Sequence, residues 1–80
     1  MNAKEAVARR IIELCTQSNR TVNALANESG VTPSTIYSIL NEKSQNPGVV
    51  TLHKLCNGFN ITLFDFFNSP LFENLEQEIK

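Results

Sequence analysis

Two helix-start signals, separated by a glycine, fall within residues 21–41. Thr21 and Thr32 each precede a short apolar stripe, and a threonine hydroxyl there can accept a hydrogen bond from a first-turn N–H group. Pro33 follows Thr32 at the first helical position, where the missing N–H costs nothing. Gly30 lies between the stripes, at a position where a positive φ is cheap. The segment therefore predicts two short helices, to about residues 29 and 41, that meet at a sharp turn.

Apolar residues recur at helical spacing on both sides of this segment, and no stretch sustains the alternation that a strand requires. The pattern predicts further helices over residues 3–18, 50–58 and 63–68, with Gly58 and Asn60 providing a C-terminal stop for the second of them. The chain is therefore predicted to be all-α, a five-helix bundle. We expect one domain over residues 1–80, with its core at about 4–68 and an extension, helical or frayed, at 69–80.

The apolar stripes also predict which side chains form the core. Arg9, Arg10, Glu13 and Gln17 fall largely on the other faces of the first helix. The expected inward-facing residues are Val7, Ile11, Leu14, Cys15, Val22, Leu25, Ala26, Val31, Ile36, Ile39, Leu40, Leu52, Leu55, Cys56 and Phe59.

The content of reactive residues argues against an enzyme or a metal protein. Two cysteines and one histidine are too few for a closed zinc site, so Cys15 and Cys56 are expected to be buried free thiols. Ser34 and Ser38 lack a histidine or lysine placed as a base, and the three glycines form no phosphate loop. No catalytic residue, cofactor, metal or small-molecule substrate is therefore expected.

Charge and hydropathy limit the partners further. No apolar run could span a membrane and the N-terminus lacks a signal-peptide core, so we expect a cytoplasmic protein with no membrane partner. The net charge of −1 weighs weakly against nucleic acid. However, residues 1–54 carry six basic against four acidic groups, a net of +2, and residues 55–80 carry one basic against four acidic groups, a net of −3. This asymmetry is compatible with one DNA-binding face.

The outward face of the second short helix is mostly short and polar and has no charged residue, as a base-reading surface in the major groove can be. Its context extends over most of the chain: IIEL at 11–14, T-x-x-x-LA at 21–26, GVTPSTIYSIL at 30–40, NP at 46–47, TLHKLCNGFNIT at 51–62 and LFDFF at 63–67. On these motifs, the sequence resembles the Cro/phage-repressor-like helix-turn-helix (XRE) family over roughly residues 4–68.

The resemblance implies a lambda-repressor-like fold and a sequence-specific transcriptional regulator that binds double-stranded DNA, as a homodimer on a two-fold operator. It makes 33–41 the recognition helix. The alternative is an antitoxin or adaptor-type protein-interaction module on the same fold. The implied base contacts are Thr32, Pro33, Ser34, Tyr37 and Ser38. The implied phosphate contacts are Thr21, Asn23, Asn41, Lys43, Ser44, Gln45 and Asn46. Tyr37 could instead cover the turn.

Three positions depart from the family pattern. Val22 stands where many members have a DNA-contacting glutamine, and Pro33 replaces a common polar or basic reader and offers only apolar contact, for example to a thymine methyl. Cys15 and Leu40 stand where many members have a partly buried Arg–Glu ion pair. Since replacing both partners by packed apolar groups is often neutral, we predict that Cys15 and Leu40 touch.

All five phenylalanines lie between residues 59 and 72. The simplest interpretation is core filling by Phe59, Phe64 and Phe67. Neighbouring residues of a helix, such as Phe66 and Phe67, point about 100° apart. Phe66 and Phe72 therefore cannot easily face the same core as Phe59, Phe64 and Phe67. A self-association surface is the accompanying hypothesis, since exposed apolar patches often mark interfaces. Its expected members are Phe66, Leu71, Phe72 and Leu75.

Overall fold

The computed structural model describes residues 1–41 and 46–77, and these contain five α-helices and no strand. The helices are α1 (Ala3–Gln17), α2 (Val22–Ser29), α3 (Pro33–Leu40), α4 (Val49–Phe59) and α5 (Leu63–Phe67), and one 3₁₀ turn follows at Pro70–Phe72. The predicted all-α, five-helix architecture is confirmed. Within residues 1–41 and 46–77, no helix combines the length and the apolar character that a membrane span requires.

Four of the five described α-helices begin at a side-chain cap, and the sequence predicted the caps of α2 and α3. Thr21 accepts from the N–H of Ala24 at 3.1 Å, and Thr32 accepts from the N–H of Thr35 at 3.3 Å. Thr62 accepts from a first-turn N–H of α5 in the same way. Such a cap contributes about 1 kcal/mol, which matters for helices of eight residues or fewer.

The core lies where α1, α2, α3 and α4 meet, and α2 packs most extensively against α4. The predicted inward-facing residues all belong to it or pack against it, with Val22 and Leu40 only partly buried. Both cysteines are buried and free, as predicted. Burial raises the pKa of the Cys15 and Cys56 thiols, although nearby guanidinium groups oppose the shift in part. Cys15 and Leu40 line one shallow depression beside Val22; their direct contact stays a prediction.

The role expected of Gly58 was wrong. It lies inside α4 and is buried, and a Cβ added there would come 2.8 Å from the Cβ of Ser29 and 3.2 Å from a methyl carbon of Leu25. Glycine is therefore needed because α2 and α4 approach too closely for a side chain between them. The helix stop is Asn60, which takes the left-handed conformation at φ 61°.

Arg10 was predicted to fall largely on a face of α1 away from the apolar stripe, but it is buried, with 8% of its surface exposed. Its guanidinium donates to the carbonyl oxygens of Phe66 at 2.6 Å and Asp65 at 2.8 Å, and pairs with the carboxylate of Glu13. The C-terminal end of α5 presents carbonyl groups that lack partners within the helix, and Arg10 supplies the donors. These hydrogen bonds join α1 to α5, and we call the contacts of Arg10 with the carbonyl oxygens of Asp65 and Phe66 the clasp.

The interpretation of the phenylalanines was wrong for α5. Phe66 is fully buried, whereas Phe64 and Phe67 are 78% and 41% exposed. Leu63 and Phe66 lie one helical turn apart and face the core together, so Phe64 and Phe67 share the opposite face. Phe66 therefore cannot belong to a self-association surface, and Phe64 and Phe67 do not fill the core.

The extension folds back over the N-terminal part of the molecule. The 3₁₀ turn at Pro70–Phe72 packs against α1, and the N–H of Glu76 donates to the carbonyl oxygen of Met1 at 3.1 Å. The ring of Phe72 lies 5.0 Å from that of Phe67 and 6.1 Å from that of Phe66, centroid to centroid. Through residue 77 the extension is thus one short turn packed on α1 rather than a continued helix.

Candidate nucleic-acid interface

The turn between α2 and α3 determines which face of α3 is presented. Gly30 ends α2 in the left-handed conformation at φ 72°, and its N–H donates to the carbonyl oxygen of Ala26 at 3.0 Å. Val31 follows immediately and is buried, so it anchors the turn to the core. Ile36 and Ile39 bury the inner side of α3. The remaining side of α3 therefore faces away from the core.

The outward face of α3 brings the predicted base contacts together. Pro33, Ser34, Tyr37 and Ser38 are exposed on the helix, and Thr32 is exposed at its cap. Tyr37 keeps 55% of its surface accessible, which leaves its ring available for a contact in the groove. We name the exposed residues the α3 face: Thr32, Pro33, Ser34, Thr35, Tyr37 and Ser38.

Thr35 is a member of the α3 face that the sequence did not single out. Its hydroxyl lies 2.9 Å from the hydroxyl of Thr32, which also accepts from the N–H of Thr35. The two threonines thus form one hydrogen-bonded unit at the start of α3. The position of Thr35 next to Ser34 on the helix could have indicated that it is exposed. The hydrogen bond between the two threonine hydroxyls could not have been predicted from the sequence.

The predicted phosphate contacts occupy both ends of the motif. Thr21 and Asn23 are exposed at the start of α2, Asn41 is exposed directly after α3, and Asn46 is exposed shortly before α4. The three further predicted contacts lie outside the described residues: Lys43, Ser44 and Gln45.

Two features near the end of α3 were missed by sequence reasoning. The ammonium group of Lys4 donates to the carbonyl oxygen of Asn41 at 2.9 Å, placing a positive charge beside a predicted phosphate contact. Lys4 and Asn41 are 37 positions apart, so no local pattern could link them. In addition, Gly48 supplies no side-chain hydrogen bond to the start of α4. First-turn N–H groups that lack such a cap favour an anion at that end of the helix.

The described residues offer little for metal chemistry. Nowhere in residues 1–41 and 46–77 do three or more His, Cys, Asp or Glu side chains come together in a way that could hold a metal ion. The chemistry available at the α3 face is hydrogen bonding by hydroxyl groups and apolar contact. Contacts of both kinds are available to a helix that meets base edges in the major groove of DNA.

Two capped helices that meet at a left-handed glycine, with a polar α3 face turned outward, define a helix-turn-helix DNA-binding protein. The comparison with protein families agrees. Residues 10–69 match the profile of the Cro/C1-type HTH DNA-binding domain, and the chain belongs to this family. The resemblance drawn from the motifs is confirmed.

Solved structures with the same fold include phage and restriction-modification proteins. The crystal structure of the prophage Lp1 protein 11 has a TM-score of 0.81 and 32% identity, and the match covers 94% of this chain and 100% of that one. The restriction-modification controller protein C.Esp1396I has a TM-score of 0.72 and 22% identity, covering 80% and 82%. A tyrosine-to-phenylalanine mutant of that controller has a TM-score of 0.73 and the same identity, covering 84% and 86%. No curated protein sequence matches significantly.

Proposed function

We propose that this chain is a cytoplasmic, sequence-specific transcriptional regulator that acts as a single domain, binding an operator as a homodimer with α3 in the major groove. The observation that carries the proposal is the α3 face, whose exposed residues are uncharged and short apart from Tyr37. Such a helix lies close to base edges without having to desolvate a charge.

The positions of the polar residues that flank α3 support contacts with DNA phosphate groups on each side of this helix. On one side, Thr21 and Asn23 lie at the start of α2, where the positive end of the helix dipole favours a phosphate group. On the other side are Asn41, the adjacent ammonium group of Lys4 and the start of α4. Phosphate contacts fix the register of the protein on the duplex, while the α3 face contacts the bases.

The homodimer is proposed to form through α5. Phe64 and Phe67 make an exposed aromatic ridge, and burial of such a ridge against a second copy removes apolar area from water. This ridge replaces Phe66 at the centre of the expected surface. Leu71, Phe72 and Leu75 are partly buried and lie in the neighbouring extension. A two-fold dimer of helix-turn-helix units places its half-sites one DNA turn apart, roughly 34–36 Å.

An electrophoretic shift assay with random-sequence and genomic DNA, run at two salt concentrations, tests DNA binding. The regulator should bind both at low salt and retain a subset of genomic fragments at higher salt, because non-specific affinity depends more steeply on salt. Lys43→Ala should weaken binding to all sequences and reduce the salt slope by about 1, whereas Tyr37→Ala should relax specificity. Absence of any shift at low salt would refute the regulator.

Sedimentation at micromolar concentration tests the dimer separately. Phe64→Asp should give a monomer that remains helical by circular dichroism, whereas Asn57→Asp, at an exposed position of α4, should leave the association state unchanged. A wild-type chain that sediments only as a monomer would contradict this interface.

The protein-interaction module remains a second candidate because Phe64 is the most exposed large apolar side chain of the described chain. A partner protein could cover the same ridge instead of a second copy. The shift assay separates the two functions, because an interaction module without DNA affinity gives no salt-dependent shift.

A further inference from the structure

The α3 face lacks the side chains that identify purines by paired hydrogen bonds. Guanine is read most often by Arg or Lys, and adenine by Asn or Gln, each forming two bonds to one base edge. Residues 33–40 contain none of these four types. If the helix lies in the major groove, it must distinguish bases in another way.

The first turn of α3 offers mainly apolar atoms. Pro33 is exposed and presents a ring without a donor. Next to it, the hydroxyls of Thr32 and Thr35 are hydrogen-bonded to each other, and Thr32 also caps the N–H of Thr35. Their polar capacity is thus partly used within the protein. A base that meets this turn therefore finds the proline ring, the carbon atoms of the two threonines, the hydroxyl capacity that the pair leaves unused and the hydroxyl of Ser34.

The middle of α3 continues in the same way. Tyr37 is one turn beyond Pro33 and exposes a ring that adds apolar area to the same side of the helix. The serines between and beyond them carry hydroxyls that accept or donate to several different base edges, and so they discriminate poorly. The one major-groove feature that an apolar surface can select is the 5-methyl group of thymine.

We propose that α3 reads its operator through thymine methyl groups, with Pro33, Thr35 and Tyr37 as the residues that determine specificity. The proposal rests on the proposed DNA-binding function and names the bases that this function selects. It expects thymine-rich half-sites at the positions beneath α3, and no invariant guanine or adenine read from this helix.

The size of the effect follows from burial of a methyl group. Removing one methyl that is buried against protein should lower affinity about fourfold, and losing one in each half-site should lower it about fifteenfold. Deoxyuridine differs from thymidine by this methyl alone and keeps the same hydrogen-bonding edge. It is therefore the appropriate probe.

The experiment selects bound duplexes from a random double-stranded library with the full chain. The enriched pool is then amplified once with dTTP and once with dUTP. The wild-type protein should bind the uracil pool at least fourfold more weakly than the thymine pool. Two variants test the residues: Pro33→Ala and Thr35→Ser, the second of which keeps the hydroxyl pair. In both, the affinity for the thymine pool should exceed the affinity for the uracil pool by a smaller factor than in wild type, because each change removes carbon atoms that contact a methyl group.

The outcomes distinguish failure of the thymine-methyl proposal from failure of the proposed DNA-binding function. Failure to enrich any pool at low salt refutes DNA binding itself. If the protein binds the thymine pool and the uracil pool with equal affinity, α3 does not recognise thymine methyl groups, while the proposed DNA binding still holds. The uracil pool could also bind more weakly by the same factor in wild type, Thr35→Ser and Pro33→Ala. That result overturns recognition of the methyl groups by these residues, since the difference in affinity would then come from DNA shape. Circular dichroism of each variant confirms that it is folded.

Discussion

Replacing Arg10 by methionine should destabilise the domain much more than the same change at its exposed neighbour Arg9. The variant keeps an apolar stem of similar length but removes the donors to the carbonyl oxygens of Asp65 and Phe66. Hydrogen bonds to a charged group contribute about 1.5–3 kcal/mol each, so losing two costs about 3 kcal/mol or more. The partly exposed pair with Glu13 adds little to this sum.

That loss is large for a chain of 80 residues. Domains of this size have about 4–12 kcal/mol of stability in total, so a quarter or more of it would disappear. At about 4–8 °C for each kcal/mol, the melting temperature should fall by about 12–24 °C.

Thermal and urea unfolding, followed by circular dichroism at one protein concentration, measure this change. Arg9→Met is the matched control, because Arg9 is the exposed neighbour of Arg10 on the same helix. Arg10→Lys should fall between the two, since a lysine keeps the charge but cannot span both carbonyl groups. Equal melting temperatures for Arg9→Met and Arg10→Met would refute the clasp between α1 and α5.

Three further predictions concern packing, capping and the thiols. Gly58→Val should lower the free energy of unfolding by about 1–3 kcal/mol through overpacking against α2, whereas Asn57→Val, its exposed neighbour, should change it much less; similar urea midpoints would contradict this. Thr32→Ala should cost about 1 kcal/mol by removing the cap of α3, and Thr32→Ser should restore most of it. Because burial raises the pKa of both cysteines above the ordinary 9.0, the unfolded chain loses the thiol protons first. Stability should therefore decline as the pH rises past about 9, and less so in a variant with both cysteines replaced by alanine; an identical decline would contradict the assignment.

The helix-turn-helix could be predicted because its determinants are local. A threonine before an apolar stripe, a proline at the first helical position and a glycine after the last turn each act within a few residues. Thr21, Gly30 and Thr32 therefore have the roles that their neighbours imply. The α3 face follows from the same reasoning, because the buried positions of a helix determine the exposed ones.

The errors lie where distant parts of the chain decide the outcome. α5 has only five residues, and within one turn several choices of inward face fit the apolar pattern. Packing selected Phe66 and left Phe64 outside. The apolar stripe of α1 placed Arg10 largely on another face of the helix, and the groups that allow its burial are carbonyl oxygens contributed by α5. Gly58 fits a helix stop equally well until α2 is placed beside it.

The clasp formed by Arg10 also imposes an order on folding during synthesis. Its hydrogen bonds join positions 55 and 56 residues apart, so forming them closes a long loop, whereas α2 and α3 meet through contacts between near neighbours in the chain. On a ribosome we expect the two short helices to meet while α5 is still inside the exit tunnel. Until Asp65 and Phe66 emerge, the guanidinium stays in water. The docking of α5 therefore follows the meeting of α2 and α3, and the ridge of Phe64 and Phe67 acquires its shape only after that docking.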